Sequence, residues 1–123
     1  MKKNDKHIAL QDLREAVENF SKVRDWHKFH TPKEMAIAVS IEVGELLELF
    51  LWKKDKEISK LLTKKKFRTQ VEDEFADIIH ACLAFANYAD IDITTAFLKK
   101  LEKTAANYPI SKSKGKNKKY TEL

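Results

Sequence analysis

A chain of 123 residues is the size of one domain, since a second hydrophobic core could not be enclosed in what is left over. Hydrophobic residues make up 43% of it, enough for a core, and only two Gly and two Pro exclude a turn-rich all-β chain. The formal net charge of +5 sits in two stretches, residues 53–68 and 107–123, while the apolar segments are acidic. That layout lacks the basic helix face with base-reading polar side chains of a duplex-DNA reader, so nucleic acid is not the expected partner. A small polyphosphate and merely solubilising lysines both fit it.

The single cysteine, Cys82, excludes an internal disulfide framework. Its setting in Ala81-Cys82-Leu83-Ala84-Phe85 reads as core. Met1–His7 is charged with no apolar run behind it, so no signal peptide is expected, and no charge-free run reaches the ~18–20 residues of a membrane helix. The expectation is an all-α, soluble, cytoplasmic protein: a helical domain over residues 1–110 and a Lys-rich tail over 111–123.

Four helical segments can be read in chain order. In the first, about residues 8–26, Leu10, Leu13, Val17, Phe20 and Arg24 recur at three- and four-residue steps, giving one stripe. The second opens on Thr31-Pro32-Lys33-Glu34, with a Thr N-cap, Pro at the first helical position and Glu at the third, the pattern of a capping box. From Met35 to Trp52, 13 of 18 residues are apolar, and a helix apolar nearly all round belongs in a bundle centre or at a subunit interface. Residues 53–68 read as a charged connector with one turn of helix around Ile58, Leu61 and Leu62. A third helix runs from about Thr69 to Ala89, with Val71, Phe75, Ile78, Cys82 and Phe85 on one side. Asp92 can cap a fourth, where Ile93, Phe97, Leu101 and Ala105 repeat every four residues. After Tyr108-Pro109 the periodicity stops, and the lysine-rich tail, low in apolar residues, reads as mobile without a ligand.

The chemistry-bearing feature is a set of carboxylates on apolar helices. Glu42 and Glu45 are three apart and share a helix face, and so do Glu74 and Asp77. Two antiparallel helices could bring all four into one cluster, where unpaired carboxylates are costly to desolvate and raise one another's pKa. The 35–52 segment has no Lys or Arg to offset them, so a hard divalent cation is the better candidate, against the alternative of ordinary solvated faces. A zinc site from His80 and Asp77 is conceivable, but a partly buried histidine is more common. Nothing supports nucleophilic catalysis, and there is no Gly-rich phosphate loop.

Arg24-Asp25-Trp26, Phe29-His30-Thr31-Pro32, Glu42-Val43-Gly44-Glu45-Leu46 ending in Trp52, and Glu74-x-x-Asp77 together resemble the MazG-like nucleotide pyrophosphohydrolases. The dCTP pyrophosphatase branch is the most similar pattern. Tyr108-Pro109 and Lys114-Gly115-x-x-x-Lys119-Tyr120-x-x-Leu123 continue the match, which covers roughly residues 13–123 with a weak patch at 53–68.

The resemblance implies a four-helix-bundle-like all-α fold assembling as a homodimer or homotetramer. Mg²⁺, with Mn²⁺ as a substitute, would be held by Glu42, Glu45, Glu74 and Asp77. The implied reaction cleaves a nucleoside triphosphate between the α and β phosphates, with Glu42 or Glu45 acting on the attacking water. On the substrate side the resemblance implies Trp26, His30 and Trp52 in or near the nucleotide pocket, and Lys100, Lys114, Lys119 and Tyr120 from the C-terminal part. The chain departs from many relatives at Ala81, where a Tyr is usual, at Thr104 for Asn, and at Asn107 for a basic residue. Those departures leave a non-catalytic nucleotide-binding or assembly module as the alternative.

Overall fold

The computed structural model describes residues 2–123, and its elements are α-helical: α1 Leu10–Lys22, α2 Pro32–Glu48, α3 Asp55–Leu61, α4 Lys65–Tyr88, α5 Ile93–Asn107 and α6 Ile110–Ser113, with a final 3-10 turn at Tyr120–Glu122. No strand occurs among the described residues. The chain falls into two compact units, one running to Asp90 and one from Ile91 to Leu123.

In the first unit α2 and α1 both pack on α4. The start signal of α2 acts as its residues suggest: the Glu34 N–H donates to Thr31 Oγ1 at 3.2 Å, with Pro32 next to the cap. The return half of the capping box is absent, because the Glu34 carboxylate turns instead to Lys33 Nζ at 3.5 Å. α1 is joined to α4 by a reciprocal pair: Arg14 Nε donates to Asn87 Oδ1 and Asn87 Nδ2 donates to the Arg14 carbonyl, each at 3.0 Å. Val17 and Ser21 of α1 and Ala81 and Ala84 of α4 are buried, and such small side chains let the two backbones approach closely.

The basic connector is more helical than its sequence suggests. α3 spans seven residues, and α4 begins at Lys65 rather than near Thr69. Lysine is a good helix former, and buried Phe67, edge-on to Phe50 at 6.1 Å between ring centres, anchors the added turn. Cys82 corrects another expectation: it is exposed, although the residues on either side of it in α4, Ala81 and Leu83, are buried.

In the second unit Asp92 caps α5, accepting from the Thr95 N–H at 2.8 Å. The tail carries one helical turn, α6, and the final 3-10 turn. Ser113 Oγ donates to the Tyr108 and Pro109 carbonyls at 3.1 and 2.7 Å, closing the single turn of α6. Gly115, at φ 76°, then allows a reversal that brings Tyr120 edge-on to Tyr108 at 5.8 Å. No helix among the described residues is long and apolar enough to cross a membrane.

Candidate metal centre

Facing positions on α2 and α4 build the site. Glu42 and Glu45 project one turn apart from α2, and Glu74 comes from α4, so that one carboxylate oxygen from each lies within 4.8 Å of the others. Asp77, one turn beyond Glu74, stands outside that trio, yet its charge acts on both Glu42 and Glu74. Burial first, and then the Glu45 and Asp77 charges, push the Glu42 carboxyl above its usual 4.5. Glu74 is raised as well, by burial first and then by the shared contact with Glu45.

Whether these residues fit a cation can be judged from their oxygens. Glu42 and Glu74 each bury one Oε2 that has no hydrogen-bond partner. No salt bridge to Glu42, Glu45 or Glu74 is formed among the described residues; on the same two helices Arg68 pairs with Glu72 and Lys33 with Glu34. An all-oxygen donor set with two buried, unpaired acceptors and mutually repelling charges suits a hard divalent ion. The residues fit the group.

A second cluster lies where α1, the loop after it and α4 meet. Phe20 is edge-on to Trp26 and to His80, each at 5.7 Å between ring centres. Trp26 is edge-on to His30 at 5.9 Å, and His30 to Tyr88 at 6.0 Å. Arg24 lays its guanidinium 3.7 Å from the Phe20 ring centre. His27 touches Tyr88 and pairs with Glu18 at 2.9 Å. A separate open cavity of about 430 Å³, lined by Lys3, Ile8 and Leu13 among others, includes none of these groups.

The MazG-like family model matches residues 37–123, which include the carboxylate trio. The chain belongs to the MazG-like family. Among curated proteins, dCTP pyrophosphatase 1 of Rattus norvegicus is 35% identical over 115 residues, covering 94% of this chain and 68% of that protein. The human dCTP pyrophosphatase 1 is 34% identical over the same coverage. A solved pyrophosphatase from Archaeoglobus fulgidus DSM 4304 superposes with a TM-score of 0.76 at 36% identity, over 88% of this chain and 99% of that one. The all-α fold expected from the sequence is the fold observed.

In this MazG-like chain the sequence-read site residues fall into three places. Glu42, Glu45 and Glu74 meet, with Asp77 beside them. Trp26 and His30 join the aromatic cluster, in which Phe20, His80 and Tyr88 went unnoticed as a group; only the nearby histidines hinted at it. Trp52 lies in the turn after α2 with φ 63° and 92% of its surface exposed, so no side chain of its own chain covers it. Lys100 on α5, Lys114 and Lys119 flanking α6 and the final turn, and Tyr120 belong to the second unit. His80 faces Phe20 and takes no part in the acidic trio, which leaves the zinc alternative without a histidine ligand.

Proposed function

We propose that the chain is a Mg²⁺-dependent nucleoside triphosphate pyrophosphohydrolase that splits the α–β phosphate bond of a (deoxy)nucleoside triphosphate, dCTP or a modified nucleotide, giving the monophosphate and pyrophosphate. The observation that carries the reading is the carboxylate trio with its two buried, unpartnered oxygens. Relatives named as dCTP pyrophosphatases supply the substrate class.

Glu42, Glu45, Glu74 and Asp77 would hold the cation, which supplies neutralisation of phosphate charge and a lowered pKa for coordinated water. The chain's own carboxylates do the rest. Glu45, the exposed member of the trio, and Glu42 are the groups able to orient the attacking water and take its proton. Trp26, about two-fifths exposed, offers a ring face to a base, a contact worth about 1–3 kcal/mol, and exposed Trp52 offers a second. Lys100, Lys114, Lys119 and Tyr120 are proposed as substrate-side groups on the tail motif, with residues 111–123 acting as a lid on a domain of residues 1–110.

The reading includes self-association. Ile37, Ile41, Leu47 and Leu51 of the α2 segment and Phe75 and Ile79 of α4 are exposed large apolar side chains, a surface suited to a second copy. A homodimer or homotetramer would cover it. The cytoplasm is the proposed compartment for such an enzyme.

The test is direct. The protein is incubated with a panel of nucleoside triphosphates and Mg²⁺, and pyrophosphate and orthophosphate are assayed separately. Pyrophosphate is expected; orthophosphate alone would mean a different hydrolase, and neither product would leave a binding module.

A further inference from the structure

We infer that the lysines between α2 and α4 form an electrostatic funnel that draws the anionic triphosphate of the substrate toward the acidic metal centre. The inference rests on the pyrophosphohydrolase reading and goes beyond it, because it gives a task to a basic surface outside the carboxylate trio, the aromatic cluster and the tail.

Residues 53–68 hold eight basic and two acidic side chains. Arg68 pairs with Glu72, but none of the seven lysines from Lys53 to Lys66 forms an ion pair among the described residues. All of them except Lys53 are exposed. Three stand where their charge opposes the helix they begin. Lys64 is the N-cap of α4, and Lys65 and Lys66 open its first turn, which has no acidic side chain and no side-chain cap. The N-terminal end of a helix is its positive end, so lysines there weaken α4 instead of supporting it. Unpaired charge kept at a cost to its own helix is accounted for by a partner outside the chain.

Location gives the chemistry of that partner. The edge-on contact of Phe50 with Phe67 ties the end of the α2 segment to the start of α4, so the lysines and the carboxylates share one helical hairpin. From Phe67 to Glu74 is about 10 Å along α4, at about 1.5 Å per residue. The Debye length at physiological ionic strength is about 8 Å, so the lysine field reaches the metal centre only partly screened. A carboxylate cluster repels an anionic substrate on approach, and a neighbouring cationic surface offsets that repulsion. A long polyanion laid along these lysines would run on to exposed Glu72, Asp73 and Asp77, whereas a triphosphate is short and carries a divalent cation to meet them.

The test replaces Lys64, Lys65 and Lys66 together by glutamine, which keeps the helix propensity and removes the charge. The control replaces Lys2, Lys3 and Lys6 in the same way; these precede α1, whose Arg14 is bonded to Asn87 at the far end of α4. For the triphosphate that the wild type hydrolyses best, kcat and KM are measured from low to high salt. At low salt the Lys64→Gln/Lys65→Gln/Lys66→Gln variant is expected to lose about five- to tenfold in kcat/KM through KM, with kcat within about twofold of wild type. The difference should close as salt rises, and the control should match wild type throughout. The melting temperature of the variant should not fall, since its α4 dipole is no longer opposed, so the loss cannot be laid to unfolding. An equal loss in the control would make the effect one of net charge, and an equal salt dependence in wild type and variant would leave the lysines as solvated charge. A fall in kcat would place them in the chemistry, and loss of binding to a labelled deoxythymidine oligonucleotide with kcat/KM unchanged would assign them to nucleic acid. Each of these overturns the inference while leaving the enzyme. Absence of pyrophosphate from the wild-type protein would overturn the pyrophosphohydrolase reading itself.

Discussion

Glu42 and Glu74, on two different helices, each bury a carboxylate oxygen that has no hydrogen-bond partner among the described residues. Both carboxyls are also raised from their usual 4.5 by burial first and by one another's neighbours second. A protein that stabilises only itself would place a cation or a donor there, because a buried acceptor left without a partner is destabilising. Together with Glu45 they form a group that could hold a metal ion.

Glu45→Gln is expected to reduce pyrophosphate release by at least about a hundredfold, the range for loss of a general base or of a metal ligand. Glu45 is exposed, so the helical circular dichroism and the melting temperature should stay close to wild type. Wild-type turnover in the variant would remove Glu45 from the mechanism.

The raised carboxyls set a sign for the pH dependence of the metal-free protein. A group whose folded pKa lies above its unfolded value binds its proton more tightly when folded. Its stabilising contribution is complete below the unfolded value and is lost as pH rises through the folded one. Glu42 and Glu74 should therefore make the chelated protein lose stability as pH climbs from about 4.5 upward, until other groups take over. Adding Mg²⁺ should raise the melting temperature at pH 7.5 by more than at pH 5. Equal shifts at both pH values would contradict this.

Self-association should appear in solution as a dimer or tetramer at micromolar concentration by light scattering. Leu47→Lys places a charge on α2 at a side chain 62% exposed in the single chain, so it should weaken assembly without disturbing the fold of each copy. A monomeric wild-type protein would leave the apolar faces of α2 and α4 unexplained.

Truncation after Pro109 removes Ser113, Gly115 and Tyr120, the residues that fold the tail back on Tyr108. If the tail is a lid, the shortened protein should show a several-fold higher KM or lower kcat, with little change in melting temperature. Unchanged constants would make the tail lysines solvated charge alone.

What the sequence made legible was local. Thr31-Pro32 and Asp92 mark helix starts through hydrogen bonds to residues three positions on, so they could be read without knowing the fold. The Glu42/Glu45 spacing and Glu74 were readable for the same reason, since helical periodicity puts them on faces before any packing is known. The connector was legible in part: the turn of helix around Ile58, Leu61 and Leu62 is there as α3, whereas the start of α4 at Lys65 was not, because its lysines carry no apolar period and its anchor is the Phe67–Phe50 ring contact. Cys82 misled because an apolar run looks buried even where one member, flanked by buried Ala81 and Leu83, is exposed. Tyr88 was invisible because its partners, His27 and His30, reach it from about sixty positions away in the chain.

The central claim is that the trio is a cation site, and titration calorimetry with Mn²⁺ on chelator-treated protein tests it most directly. Wild type should bind the metal with saturable heat. Glu42→Gln with Glu74→Gln together should lose that binding by at least about tenfold in affinity while keeping the helical spectrum, since glutamine keeps the size of glutamate and removes only its charge. Saturable binding of equal strength in wild type and in the double variant would contradict the account.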